Sequence, residues 1–113
     1  MSQPFVSEVR LFLKPECKGD YLRALNDVIE PARAEPTCRF LRVYESAEDP
    51  NMIVLLESWA DFPTLSDEVL KRDFFQRYIA ASESMYSAPR QVTPLLPLHR
   101  SDQPDLSVRD RIP

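Results

Sequence analysis

From Phe5 to Leu13 apolar and polar positions alternate around Ser7, Glu8 and Arg10, and Lys14-Pro15 ends the alternation. This predicts a first strand whose two faces differ in polarity. The pattern then changes period. Leu22, Leu25, Val28 or Ile29, and Ala32 recur at helical spacing, with Arg23, Asn26, Asp27 and Glu30 opposite and Asp20 placed to cap the start. Pro31 falls late in this helix, where it removes a backbone donor and is expected to kink or loosen the last turn at a cost of about 3 kcal/mol unless packing absorbs it. Pro36 pushes Glu35 out of the helical region, so the chain must turn there. Cys38 to Glu45 alternates again, with Leu41 and Val43 on one side and Phe40, Arg42 and Tyr44 on the other. Turn formers fill Ser46 to Asn51, and the unbroken apolar run Met52 to Leu56 predicts a strand covered on both faces, paired to its predecessor as a hairpin. Beyond Trp59, Asp61 is expected to cap a short helix reaching about Leu70, and Asp73 another in which Phe74 or Phe75, Tyr78, Ile79 and Met85 share a face. Gln91 to Leu98 reads as a last extended segment, placed at a sheet edge because Pro94 and Pro97 cannot donate to a ladder.

The order is β, α, β, β, α, β, the split βαβ pattern of an α+β, ferredoxin-like fold with an antiparallel sheet. Residues 1–98 form the expected domain. Residues 99–113 are polar, charge-balanced and proline-containing, a tail without a core of its own. Helices on one face of such a sheet leave the other bare, and an apolar second face is most simply closed by a twofold copy. Phe12, Phe40 and Tyr44 mark that seam, with Glu8, Arg10 and Arg42 as charge partners.

Composition narrows the functional classes. At 113 residues with 43% hydrophobic positions the chain suits one globular domain that buries its own core. A single glycine leaves no material for a phosphate-cradling loop, so a nucleotide cofactor is not expected. Net charge is −4 with both signs interspersed, which disfavours nucleic acid. No apolar run reaches the roughly 20 residues of a membrane span and the N-terminus lacks a signal-peptide layout, so the chain reads as cytoplasmic with no membrane partner. Cys17 and Cys38 then read as free thiols. One histidine and two distant cysteines offer no chelating pair, so neither a metal nor another cofactor is expected.

The segments KPE at Lys14 to Glu16, ARAEPTC at Ala32 to Cys38, YESAEDPN at Tyr44 to Asn51 and LLESWAD at Leu55 to Asp61 resemble the antibiotic biosynthesis monooxygenase family, over about residues 5 to 98. The resemblance implies a dimeric α/β barrel in which two sheets pack face to face. It implies an oxidative activity, since the family includes quinol-oxidising enzymes, polyketide oxygenases that work without metal or flavin, and haem-degrading proteins. Of the site residues of the polyketide oxygenases only Trp59 has its counterpart; Leu55 and Leu65 stand where they carry Asn and Tyr. Val9 and Ile79 stand where the haem degraders carry Asn and His, and Glu68 and Phe74 where many relatives carry His.

Cofactor-independent oxygenation needs an electron-rich substrate that can lose a proton and then an electron to dioxygen, so the protein must supply a dry pocket and a base. The candidate catalytic residues are Trp59, Tyr44 and Glu68. Candidate substrate contacts are Arg42, Glu57, Phe74, Phe75 and Tyr78. Each also has a plain reading. Trp59 at a strand end suits a packing anchor as well as a substrate platform, the Phe74, Phe75 and Tyr78 stripe suits a core, and Tyr44, Glu57 and Glu68 suit a solvated surface. The sequence therefore favours a small homodimeric monooxygenase acting on a phenolic, quinol or polyketide-like molecule. A non-catalytic binder of a small aromatic or apolar ligand, or a structural dimer, is the alternative on the same fold.

Overall fold

The computed structural model describes residues 3–98. Four strands, β1 (Phe5–Leu13), β2 (Cys38–Glu45), β3 (Met52–Trp59) and β4 (Tyr86–Leu95), form one sheet in the order β2-β3-β1-β4. Every pairing is antiparallel. Three helices, α1 (Lys18–Arg33), α2 (Phe62–Asp67) and α3 (Asp73–Ser82), complete an α+β fold of the expected ferredoxin-like order. The expected tail at 99–113 lies outside the described residues.

The period-two reading of the strands holds in detail. On β1, Val9, Leu11 and Leu13 are buried, and on β3 so are Ile53 and Leu55; they meet Tyr21, Leu25 and Val28 of α1 in the main core. A second cluster joins Ala32, Leu41, Trp59, Leu65 and Val69. Each buried Val, Leu or Ile side chain among them contributes roughly 1.5–3 kcal/mol by leaving water. The alternate residues of β3, Met52, Val54 and Leu56, are only half-buried. The expectation of a strand covered on both faces is thus met on the helix side alone within one chain. The β2–β3 turn is built from its own polar residues: Ser46 Oγ accepts from the Glu48 and Asp49 amides at 3.2 and 3.3 Å, and Asp49 Oδ1 accepts from Asn51 N at 2.9 Å.

Three helix starts were open to chemistry, and one used the expected residue. Asp61 caps α2, its Oδ1 accepting from Thr64 N at 2.7 Å. Asp20 does not cap α1: a 3₁₀ turn over Pro15–Cys17 runs straight into the helix at Lys18, leaving Asp20 in the first turn, where it pairs with Arg23. Asp73 is likewise the first residue of α3, paired with Arg77 at 2.8 Å; the capping position is Arg72. In both cases the carboxylate still lies at the positive end of the helix.

Pro31 lies within α1, which continues to Arg33. The proline sits so near the C-terminus that only one short stretch follows it. That end is tied down by Arg33, whose Nε and Nη2 donate to Leu41 O on the edge strand β2 at 3.1 and 2.7 Å. A tertiary bond here offsets the weakened last turn.

Strand β4 begins at Tyr86, five residues before the expected Gln91, and pairs with β1 alone, as its prolines require of an edge strand. Its register against β1 shifts between Arg10↔Gln91 and Phe12↔Ala88, leaving Pro89 and Arg90 in the irregular stretch. Such bulges bend a strand and re-aim its side chains. Arg90 lies two residues before Val92, which pairs with Val9, so alternation puts it on the helix side of the sheet, beside β1 and β3.

Candidate functional site

Between the helix-side face of the sheet and the segment from α2 to α3 lies a cleft of about 340 Å³. Its floor is laid by the odd-numbered residues of β1, Phe5 to Leu11, and by Leu55 and Glu57 of β3. Its wall is formed by Phe62, Leu65, Leu70, Phe75, Tyr78 and Ile79, and Arg90 and Val92 of β4 close the edge. The lining is largely apolar, with three residues that carry chemistry: Glu57, Tyr78 and Arg90.

Glu57 owes its position to strand periodicity. It lies two residues before Trp59 on the same face of β3, opposite Ser7 on one neighbouring strand and Leu41 on the other. Trp59 is fully buried, and its Nε1–H donates to Glu57 Oε1 at 2.8 Å. One carboxylate oxygen is thus fixed from behind. Burial pushes the Glu57 carboxyl above the usual carboxylate range, against the pull of the Trp59 hydrogen bond and of the Arg90 charge. A carboxyl in that setting has the character of a proton acceptor able to work closer to neutrality.

Tyr78 borders the cleft from α3, and its hydroxyl lies 2.6 Å from that of Tyr21, a wholly enclosed residue of α1. Trp59, Phe75, Glu57 and Tyr78 also surround a small cavity of about 30 Å³ behind the cleft. The Trp59 ring lies 6.5 Å from that of Phe75.

The structure brings together Glu57, Phe75 and Tyr78 in the cleft, with Trp59 directly behind Glu57. Phe74 is half-buried against Phe75, 5.1 Å between ring centroids, and faces the groove between α1 and α3. The other three candidates lie elsewhere. Tyr44 and Arg42 are on the opposite face of the sheet, Tyr44 51% exposed and the Arg42 guanidinium 4.5 Å above the Phe40 ring. Alternation on β2 requires this, because Leu41 and Val43 take the helix side. Glu68 is exposed at the junction between α2 and the following 3₁₀ turn, away from the cleft. Arg90 was missed by sequence reasoning. It shares a face with Val92 by alternation, but it lies one residue before the expected start of the last strand at Gln91, and β4 in fact begins at Tyr86.

Val9, Leu55, Leu65 and Ile79, the four apolar residues singled out by the family resemblance, all line this cleft. Among the described residues, no group of three or more His, Cys, Asp or Glu side chains is placed to hold a metal ion. No helix among them is long and apolar enough to cross a membrane.

Known proteins share this chain's sequence pattern and fold. A Mycobacterium tuberculosis protein named "Putative monooxygenase Rv0793" is 32% identical over 98 residues, spanning 87% of this chain and 95% of its own length. Its solved structure superposes with a TM-score of 0.79 at 28% identity, covering 88% of this chain and 99% of that one. An uncharacterised Synechocystis protein, sll1783, is 25% identical over 89 residues; the match spans 79% of this chain and 60% of that protein's length. A conserved protein from Methanosarcina mazei Go1, at 20% identity, shares the fold with a TM-score of 0.76, covering 82% and 91% of the two chains. The sequence profile of the family described as antibiotic biosynthesis monooxygenase matches residues 4–81, more than half of the chain. The chain belongs to the antibiotic biosynthesis monooxygenase family.

Proposed function

We propose that this chain is a cofactor-independent monooxygenase that oxidises a small phenolic, quinol or polyketide-like molecule with dioxygen. The observation that carries the reading is Glu57: a carboxyl in a largely apolar cleft, held by the Trp59 Nε1–H, with its protonation shifted toward neutrality by burial. Membership of the family and likeness to a protein named as a monooxygenase support the same class of chemistry.

In this mechanism the Glu57 carboxylate takes the proton of a ring hydroxyl, breaking the substrate O–H bond and forming its own. The resulting phenolate is electron-rich enough to pass one electron to dioxygen. Recombination of the ring radical with superoxide forms a C–O bond at the ring carbon. Protonation of that peroxide, loss of the ring hydrogen and cleavage of the O–O bond release water and leave a quinone. Phenol and dioxygen thus become quinone and water, with dioxygen as the only oxidant. Apolar walls raise the cost of unscreened charge and keep water from competing, and the Arg90 cation faces the same cleft.

Dioxygen uptake across a panel of hydroquinones, anthrones and related phenols tests the reading, with Glu57→Gln and protein-free solutions run alongside. Substrate-dependent uptake above autoxidation that collapses in the variant supports it, and background traces across the panel overturn it.

A second reading is ligand binding without turnover. Val9, Leu55, Leu65 and Ile79 favour it, since they leave the cleft apolar at the positions where the family resemblance implies polar site residues. Saturable quenching of Trp59 fluorescence by aromatic ligands that are returned unchanged would support it.

We also propose that the bare face of the sheet pairs with a second copy of the chain. There Val6, Phe40, Leu56 and Leu95 border a shallow apolar groove, and Tyr44 is half-exposed beside Val54 on β3. Light scattering at micromolar concentration should give twice the chain mass; a monomer overturns the pairing.

A further inference from the structure

Tyr21 and Tyr78 come from different helices, 57 residues apart, yet their hydroxyl oxygens meet at 2.6 Å and their rings at 6.0 Å between centroids. Two phenol groups carry two hydrogens, and only one can lie between the oxygens; the other needs a different acceptor. Tyr21 is fully enclosed, whereas Tyr78 borders the cleft, the groove between α1 and α3, and the recess beneath Tyr86 and Arg90. Either hydroxyl can donate to the other; when Tyr21 donates, the Tyr78 hydrogen is left for an acceptor outside the pair and is polarised. Tyr86, the first residue of β4, brings its ring 6.1 Å from that of Tyr21 and its side chain into hydrogen bonding with both hydroxyls, so a ligand oxygen held by Tyr78 takes the place of Tyr86 as that partner. Burial, and then the nearness of the Tyr21 hydroxyl as a potential anion, keep Tyr78 protonated; Tyr21 is held protonated chiefly by burial. The pair is thus a donor and not a base. The charged groups lining the same cleft are Glu57 and the Arg90 cation.

We infer that Tyr78, backed by Tyr21, donates the hydrogen bond that holds the ligand's phenolate or enolate oxygen, so that the cleft selects hydroxyaromatic acids over neutral rings of the same shape. This rests on the cleft being the substrate site, as proposed above. Glu57 accepts the proton that the ligand loses, and Tyr78 with Arg90 meets the charge left behind. The division matches the general rule that acid and base roles separate when two titratable groups are pushed apart by their surroundings. Tyr78 would touch the reacting oxygen, and Tyr21 would act through it as a positioning residue.

The test is binding, independent of turnover. 4-Nitrophenol, whose ionised form absorbs visible light, and nitrobenzene, which cannot ionise, are titrated into wild type, Tyr78→Phe and Tyr21→Phe, following Trp59 fluorescence and probe absorbance. Wild type should bind the ionised nitrophenol in preference to nitrobenzene. Tyr78→Phe should weaken binding of the anion by about ten- to a hundredfold, the range for a hydrogen bond to a charged group, and leave nitrobenzene unchanged. Tyr21→Phe should shift the anion in the same direction by less. Equal affinity of wild type for the two probes, or a Tyr78→Phe loss common to both, overturns the inference while leaving the cleft an aromatic site. Failure of wild type to bind either probe overturns the cleft reading itself and the inference with it. Phe preserves both rings, and an unchanged far-ultraviolet circular dichroism spectrum with a cooperative urea transition confirms that each variant is folded.

Discussion

The two faces of the sheet carry similar residue types and put them to different use. On the helix side, the polar residues Glu57, Tyr21 and Tyr78 are surrounded by apolar groups, each with a named partner, and their protonation is shifted by burial. On the opposite side, Glu8 and Arg10 pair at 2.8 Å where water reaches them, Arg42 lies over Phe40, and Tyr44 stands half in solvent. An exposed pair such as Glu8 and Arg10 contributes at most about 1 kcal/mol. The lesson is that residue type does not mark the site: a glutamate or tyrosine gains chemical potential from the enclosure around it. Tyr44 and Tyr78 differ by which side of the sheet they face, and that difference separates a surface residue from a cleft residue.

Several substitutions would break or sharpen this contrast. The largest effect is expected from Glu57→Gln, which keeps an acceptor for Trp59 Nε1–H but removes the base. On any substrate that supports dioxygen uptake, turnover should fall by about 10²–10⁴-fold, and a fall of less than about threefold would remove Glu57 from the chemistry. The same variant carries a stability signature. The native carboxyl is raised above its ordinary value of 4.5, so the folded state holds the proton more tightly than the unfolded chain. The contribution of Glu57 is therefore fully present below that ordinary value and is lost as pH rises through the raised native value. The urea midpoint of wild type relative to Glu57→Gln should decline as pH rises above the ordinary value of 4.5, whereas parallel pH profiles would contradict the burial argument.

Trp59→Ala comes next. It empties the centre of the second core cluster and strips Glu57 of its donor, for a loss of about 3–5 kcal/mol in urea unfolding. A loss below about 1 kcal/mol would show that the cluster closes up around the gap. On the opposite face, Tyr44→Asp should leave the circular dichroism of the chain unchanged. If a second copy covers that face, the change places two carboxylates near one seam and should raise the dimer dissociation constant at least about tenfold, some 1.4 kcal/mol, by sedimentation. An unchanged constant would move the seam elsewhere. The smallest effect is that of Asp61→Ala, which removes the cap of α2 and should cost about 1 kcal/mol in urea unfolding. Because α2 supplies Leu65 to the cleft wall, that variant also reports how far wall and floor are coupled.

Periodicity made the strands and helices readable. The alternation of β1 and β2 is local, and it sorted Leu41 and Val43 from Phe40, Arg42 and Tyr44 as the structure sorts them. Asp61 was readable as a cap because its side chain reaches only three residues ahead. Asp20 and Asp73 were not separable from true caps, since whether a preceding 3₁₀ turn or an extended residue leads into the helix depends on the chain's entry angle. The candidate site was half legible. Trp59, Glu57, Phe75 and Tyr78 emerged from the family motif and the aromatic stripe, while Tyr44, Arg42 and Glu68 were chosen for residue type and lie away from the cleft. Arg90 falls one residue outside the extended segment that the sequence marks, because β4 starts earlier than its turn and proline signals indicate.

By itself the sequence determined the order of elements, the face each side chain takes within its own strand or helix, and the family, because all of these rest on spacing over a few residues or on short motifs. Tertiary structure alone decided which faces meet. Strand order β2-β3-β1-β4 set Ser7 beside Glu57, the packing of α1 on α3 joined Tyr21 to Tyr78, and the pairing of β4 with β1 set Arg90 at the edge of the cleft. Hydrogen bonds and burial are set by distances across the fold, and those distances are properties of the packed chain.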